Sequence, residues 1–278
     1  MSQRPAGQDT ALGTVFVDIG RAVRWEASQP LEDLINEGGR RAYLNPDNKL
    51  RASILDDPAG ARKNTKDNTP AVIHTRMVAG NTVDFRVAAK GGGSENKSKL
   101  AMLNPSDSIV DWVVKTVPTM GAGWCPPGML GIGIGGTAEK AMVMAKESLM
   151  DPVDIHELRE RGASSKAEEL RIEIMDAVNK LGIGAQGLGG LTTVLDVKIM
   201  DYPTHAASLP VAMIPNCAAT RHAPLDTNGG RPVTQAAPRV TAWREAPHEP
   251  RGQDQTGERG RLRAAGTEKQ GASTTTLR

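Results

Sequence analysis

Two cysteines, Cys125 and Cys217, are the residues of this chain best suited to chemistry. Cys125 sits between a glycine-rich approach, Gly121-Ala122-Gly123, and the pair Pro126-Pro127, and it is followed by an apolar run with glycine at 131, 133, 135 and 136. Glycine lets a backbone approach another group closely, and proline stiffens the chain beyond it, so the thiol is presented on a rigid loop. The plainer alternative is a small buried thiol beside a glycine-rich turn. With no C-x-x-C pair, the two cysteines do not spell a zinc ribbon or finger. An iron–sulfur cluster held only by protein takes four thiolates. Fewer would leave an iron open to act as a Lewis acid on a substrate.

Around these thiols the chain offers cations. Arg51, Arg62, Lys63, Lys66, Lys97 and Lys99 lie in or near glycine- and asparagine-rich loops. Arginine matches a carboxylate with two parallel hydrogen bonds, so small dicarboxylates would suit such loops, although most of these charges are expected to be solvated surface. The loops do not bind phosphate by any known spacing: KGGGSENKS lacks G-x-x-x-x-G-K-[ST], and GIGIGGT lacks G-x-G-x-x-G. His205, in DYPTHAAS, precedes Cys217 by 12 positions on the same connecting segment. His74, flanked by Ile73 and Thr75 in a predicted strand, is expected to pack.

The elements that must position these groups can be read from pattern. VFVDI predicts a strand ended by Gly20, and PLEDLINEGGRRAYLN a helix with Pro30 near its start and Gly38 and Gly39 near its end. DDPAGARKNTKDNT is a loop. AVIHTRMV and TVDFRVAA predict a β-hairpin about Ala79, Gly80 and Asn81. Asn104 is a candidate helix cap with Pro105 at the first helical position, and Ile109, Trp112, Val113 and Thr116 keep helical spacing until Pro118. Thr137 opens another helix. Ser165 and Glu168 form a capping box ahead of an i, i+4 stripe of Leu170, Ile174, Val178 and Leu181, closed by Gly182. LTTVLDVKIMDYPTHAASLPVAMIPNC predicts two strands around a loop that carries His205 and ends at Cys217. This mixture of helices and strands predicts an α/β class with mixed layers.

Composition bounds the function. The 278 residues are 38% hydrophobic but only 3% aromatic, so aliphatic residues and methionine must fill the core. A net charge of +2 lacks the clustered basic excess of a nucleic-acid or membrane-surface protein. No apolar run is long enough to span a bilayer, the N-terminus lacks the apolar stretch of a signal peptide, and two distant cysteines are no disulfide framework. A cytoplasmic setting is expected. After Ala223 the sequence becomes rich in Arg, Pro, Gly, Thr and Gln with no lasting period. The expected organisation is therefore a domain over 1–223 and a disordered tail over 224–278.

The blocks NTKDNTPAVIH, KGGGSENKSK, MLNPSDSIVDW, TVPTMGAGWCPPGMLGIGIGGTAEKA, QGLGGLTTVLDVKI and PTHAASLPVAMIPNCAATRHA closely resemble class I fumarate hydratase. More broadly they resemble the iron–sulfur hydro-lyases that include the α subunit of L-tartrate dehydratase. The resemblance covers roughly residues 7 to 223. It implies a 4Fe-4S cluster on three cysteines, with an open iron that takes the substrate's carboxylate and hydroxyl. Cys125 and Cys217 match the second and third ligands. The first opens the family motif C-Q-D-T-G, which here is Gly7-Gln8-Asp9-Thr10-Ala11, so that cysteine is absent.

The same resemblance implies that Gln8, Arg51 and Gly93 contact substrate, and that Asp9, supported by His205, handles a proton. Fumarate and L-malate are the implied substrates, with a homodimer as the implied assembly. The family pattern stops at His222-Ala223 in a way that suggests a frame shift. A C-terminal domain, or a separate β subunit, would then supply the remaining arginines, lysine and base. L-tartrate dehydration, or a catalytically inactive remnant, are the alternatives.

Overall fold

The computed structural model describes residues 10–48 and 50–227. Gly7, Gln8, Asp9 and the stretch from 228 onward lie outside the described residues. In chain order the elements are β1 (Leu12–Gly20), α1 (Leu31–Leu44), β2 (Leu55–Asp56), β3 (Lys63–Asn64), β4 (Val72–Val78), β5 (Val83–Lys90), α2 (Gly92–Glu95), β6 (Lys99–Leu103), α3 (Ile109–Thr116), β7 (Gly128–Gly135), α4 (Ala138–Ser148), α5 (Ile155–Arg161), α6 (Lys166–Asn179), β8 (Val194–Tyr202), β9 (Leu209–Cys217) and β10 (His222–Thr227). The mixed α/β layers expected from sequence are present.

One four-stranded sheet has the order β10-β5-β1-β4, and the other β6-β9-β7-β8. In the first, β1 runs parallel to β4 and antiparallel to β5. The hairpin expected of β4 and β5 therefore does not form. Strand β1 lies between them, and the Gly80 turn crosses its end so closely that a Cβ on Gly20 would lie 2.6 Å from the Gly80 carbonyl oxygen. Strand β10 pairs with β5 as far as Thr227. The strand thus carries four residues that composition assigned to the tail, because a backbone ladder does not require apolar side chains.

The second sheet explains the glycines beyond Cys125. Side chains alternate across a strand. Leu130 and Ile132 of β7 enter the core that α3 and α6 share with Val211 and Met213 of β9. Gly131 and Gly133 face α4 instead. A Cβ at either would come within 2.1 Å and 2.0 Å of the Ala145 and Ala141 carbonyl oxygens, so the helix backbone rests directly on the strand.

Two local expectations shift. Helix α3 is capped by Ser108, whose hydroxyl accepts from the Asp111 N–H. Asn104 instead makes a turn with Asp107, whose carboxylate accepts from the Asn104 N–H at 2.8 Å. Gly38 and Gly39 lie inside α1 rather than ending it. Ser165 does cap α6, and His74 does pack, stacked on Phe16 with ring centroids 4.8 Å apart. A charged cluster joins the sheets: Glu147 of α4 accepts from Arg86 of β5 at 2.8 Å and lies 3.4 Å from Arg76 of β4. Among the described residues no helix is long and apolar enough to cross a membrane.

Candidate functional site

The ladder between β7 and β9 pairs Gly128 with Cys217. Cys125 lies three residues before Gly128, so both thiols belong to the same end of the second sheet. Cys217 is buried and Cys125 half-buried. Cys125 adopts φ +58°, a left-handed conformation that costs a non-glycine residue about 1–2 kcal/mol. Its loop is held from both sides. The fully buried Trp124 anchors it in the core, and the Gln186 N–H donates to the Pro126 carbonyl at 2.6 Å.

A second loop reaches the same end. Helix α2, which carries Gly93, packs against β9. Lys97, just beyond it, lies over the cysteine loop, where a Cβ on Gly123 would come within 2.9 Å of its side chain. Lys90, at the end of β5, is only 1% exposed. Its ammonium donates to the Ser94 hydroxyl at 2.5 Å and lies 3.6 Å from the Glu95 carboxylate, which also pairs with Lys146. Burial pulls Lys90 down to about 8, against the opposing pull of Glu95. A buried amine with a lowered pKa marks a place where charge has been taken out of water for some purpose.

The N-terminal segment enters at this end as well. Leu12 pairs with Lys90, and Thr10 bridges Arg51. Arg51 is exposed beside the residue that comes after Asp9 in sequence. The structure thus gathers Arg51, Gly93, Cys125 and Cys217 around the ends of β5, β7 and β9. Gln8 and Asp9 lie outside the described residues.

His205 does not join them. It is exposed in the loop between β8 and β9, where its Nδ1 accepts from the Ala207 N–H at 3.1 Å and where Thr204 bonds the Gly136 carbonyl. The nine residues of β9 separate that loop from Cys217, about 27 Å at the rise of an extended strand. Twelve positions of sequence are the length of the sheet, not a local neighbourhood.

Sequence reasoning missed three residues at this end: Lys90, Arg221 and Tyr43. The Arg221 Nε donates to the Ala89 carbonyl at 3.3 Å, and its own carbonyl accepts from the Ala89 N–H at 2.9 Å. Burial raises the Tyr43 phenol, on α1, against the opposing pull of the Arg221 charge. Lys90 and Arg221 lie within the family-like blocks, which was the available signal. Single charges in such blocks look like surface, and only burial sets them apart. Among the described residues no three His, Cys, Asp or Glu side chains come together as a metal-ion site.

The fold and this end of it define a mixed α/β protein with a two-thiol, cation-rich site. Residues 1–226 match the family described as fumarate hydratase (Fumerase). A Methanocaldococcus jannaschii protein named provisionally as L(+)-tartrate dehydratase subunit alpha is 36% identical over 230 residues, covering 80% of this chain and 78% of its own. The L(+)-tartrate dehydratase subunit alpha of Escherichia coli O157:H7 is 28% identical over 225 residues, covering 80% and 72%. The chain belongs to the fumarate hydratase (Fumerase) family, the iron–sulfur hydro-lyase enzymes.

Proposed function

We propose that this chain is the α-type half of a hydro-lyase acting on a four-carbon dicarboxylate. What supports the reading is the convergence of Cys125, Cys217, Arg51 and the Gly93 turn on one end of the fold, within a family of such enzymes. Resemblance placed fumarate first. The relatives' names favour L-tartrate, and we rank it ahead, with fumarate hydration to L-malate as the second reading.

An iron–sulfur cluster supplies these enzymes with a Lewis-acid iron. The chain contains two cysteines in all, with glycine at position 7, and two thiols do not complete the three-cysteine set that the resemblance implies. What the chain itself contributes is binding and orientation. Arg51 clamps a carboxylate through paired N–H donors, and Lys90 holds the turn that carries Gly93 while keeping positive potential where a dianion enters. Asp9 is assigned the proton, with Gln8 at the substrate. His205, exposed at the far end of the sheet, can serve such a site only across an interface between two copies, as in the homodimer expected from sequence.

A second polypeptide is the partner we assign, in keeping with relatives named as alpha subunits. Leu188 and Leu191, 89% and 92% exposed on the loop that Gln186 ties to the cysteine loop, offer it apolar surface. The test is anaerobic loading of the full chain with iron and sulfide, with and without Gly7→Cys. Iron content and charge-transfer absorbance are then read, together with turnover of L-tartrate and fumarate. The chain alone should hold little iron and turn over neither substrate, and Gly7→Cys should raise iron and absorbance. Turnover by the unaltered chain at an ordinary enzyme rate, about 1–10³ per second, would overturn the proposal.

A further inference from the structure

The segment that follows Arg51 takes backbone hydrogen bonds from a loop. The Asn64 side chain donates to the Ala52 carbonyl at 2.9 Å, and the Thr65 N–H donates to the Ile54 carbonyl at 2.9 Å. Between them, the Ser53 N–H donates to the side-chain oxygen of Asn68 at 2.7 Å. All three loop residues lie in NTKDNT, a family-like block to which the proposed function assigns nothing.

Asn68 also reaches the N-terminal segment. Its amide nitrogen donates to the Ala11 carbonyl at 2.9 Å, and the Ser53 hydroxyl donates to the same carbonyl at 3.2 Å. One side-chain amide thus joins two stretches of chain that lie 57 and 15 residues from it in sequence. It stands where the next peptide group of a ladder would, because Thr10 and Arg51 form only an isolated bridge. One orientation of the amide satisfies both partners, with oxygen toward the Ser53 N–H and nitrogen toward the Ala11 carbonyl. Asn68 is only 4% exposed and holds φ +59°, a left-handed conformation that asparagine tolerates better than most side chains. The residue before it is anchored too: the Asp67 carboxylate accepts from the Thr69 N–H and from Arg40 of α1, each at 3.0 Å.

We infer that Asn68 is a positioning residue, whose amide fixes the Arg51 segment against the segment that follows Asp9. It thereby sets the register between the group that clamps a carboxylate and the group assigned the proton. The inference rests on the proposed function and adds to it the side chain that aligns two of its parts. Asn68 itself touches no substrate.

The experiment uses the full chain with Asn68→Gly and Asn68→Asp. Hydrogen exchange is read without ligand, and titration calorimetry is run with L-tartrate and fumarate as probes. Glycine keeps the left-handed backbone and removes the amide, so the Ser53, Thr10 and Ala11 amides should all exchange faster. Aspartate keeps the acceptor for Ser53 and loses the donor to Ala11, so the Thr10 and Ala11 amides alone should quicken. Affinity for the preferred probe should fall about tenfold in Asn68→Gly. With Arg51→Lys already present, the further fall should shrink to about twofold or less, because a misplaced clamp and a weakened one are lost only once. A merely structural amide would lower the thermal midpoint and weaken binding equally in both backgrounds. That outcome overturns the inference and leaves the proposed function standing, as does unchanged exchange at Thr10 and Ala11 in Asn68→Asp. If the unaltered chain binds neither probe, the proposed function itself fails and this inference with it.

Discussion

Cys217, the last residue of β9, is paired across the ladder with Gly128, the first residue of β7. Paired Cα atoms in an antiparallel ladder are about 5 Å apart, and three residues of chain reach about 10 Å further, so the Cys125 and Cys217 backbones are neighbours. A short bifunctional maleimide should therefore join the two thiols within one native chain. Intact mass should show one bridged adduct, replaced by a single open adduct in Cys217→Ser. Two independent open adducts on the unaltered chain would contradict the pairing.

The contact of α4 with β7 sets a sharp contrast between glycines. Gly133→Ala drives a methyl into the Ala141 carbonyl and should destabilise the fold by about 3 kcal/mol or more. Gly38→Ala, inside α1 with open space around it, should stabilise by about 0.5–1 kcal/mol. Urea unfolding of the two variants measures both, and equal effects would show that the strand is not pressed against the helix.

His222 gives an acid sensitivity. Burial, with Lys90 and Lys198 nearby, pushes it down to about 4 from an ordinary value of 6.5. Below 6.5 the unfolded chain takes a proton that the folded chain refuses, so stability is complete above that pH and falls as the pH drops toward 4. Between pH 7 and pH 5 this one group should remove about 2 kcal/mol. His222→Gln should flatten that part of the profile, and an unchanged slope would place the acid sensitivity elsewhere.

The Glu147 cluster should behave as a clasp between the sheets. Removing the carboxylate in Glu147→Ala leaves Arg86, one-quarter exposed, and Arg76 to share the single carboxylate of Asp18. The expected loss is about 2 kcal/mol, less than for a wholly buried pair because solvent reaches both arginines. A double variant, Glu147→Leu with Arg86→Met, should recover much of it. If the double variant is as unstable as the single, packing around α4 rather than charge holds the sheets together.

Much of the architecture was legible because its causes are local. The Ser165 cap of α6 and the valine-rich β1 and β5 depend on residues a few positions apart and form as the pattern requires, although the Glu168 carboxylate accepts from the Ser164 N–H rather than closing the box on Ser165. The cysteine-bearing ends and the glycine-rich turn were recognisable from their blocks of residues. What pattern could not decide was partner choice. Strands β4 and β5 are sequence neighbours with a turn between them, yet β1 separates them, since strand pairing is settled by which apolar faces the whole sheet must bury. Cys125 and Cys217 are far apart in sequence and adjacent in space, because two strands bring their ends together. His205 and Cys217 are near in sequence and far apart in space, because a single extended strand lies between them. Tyr43 carries no mark in the sequence at all, and Lys90 only its place at the head of the KGGGS block. Burial alone makes an ordinary lysine and an ordinary tyrosine into candidates for function, and burial exists only once the chain has folded.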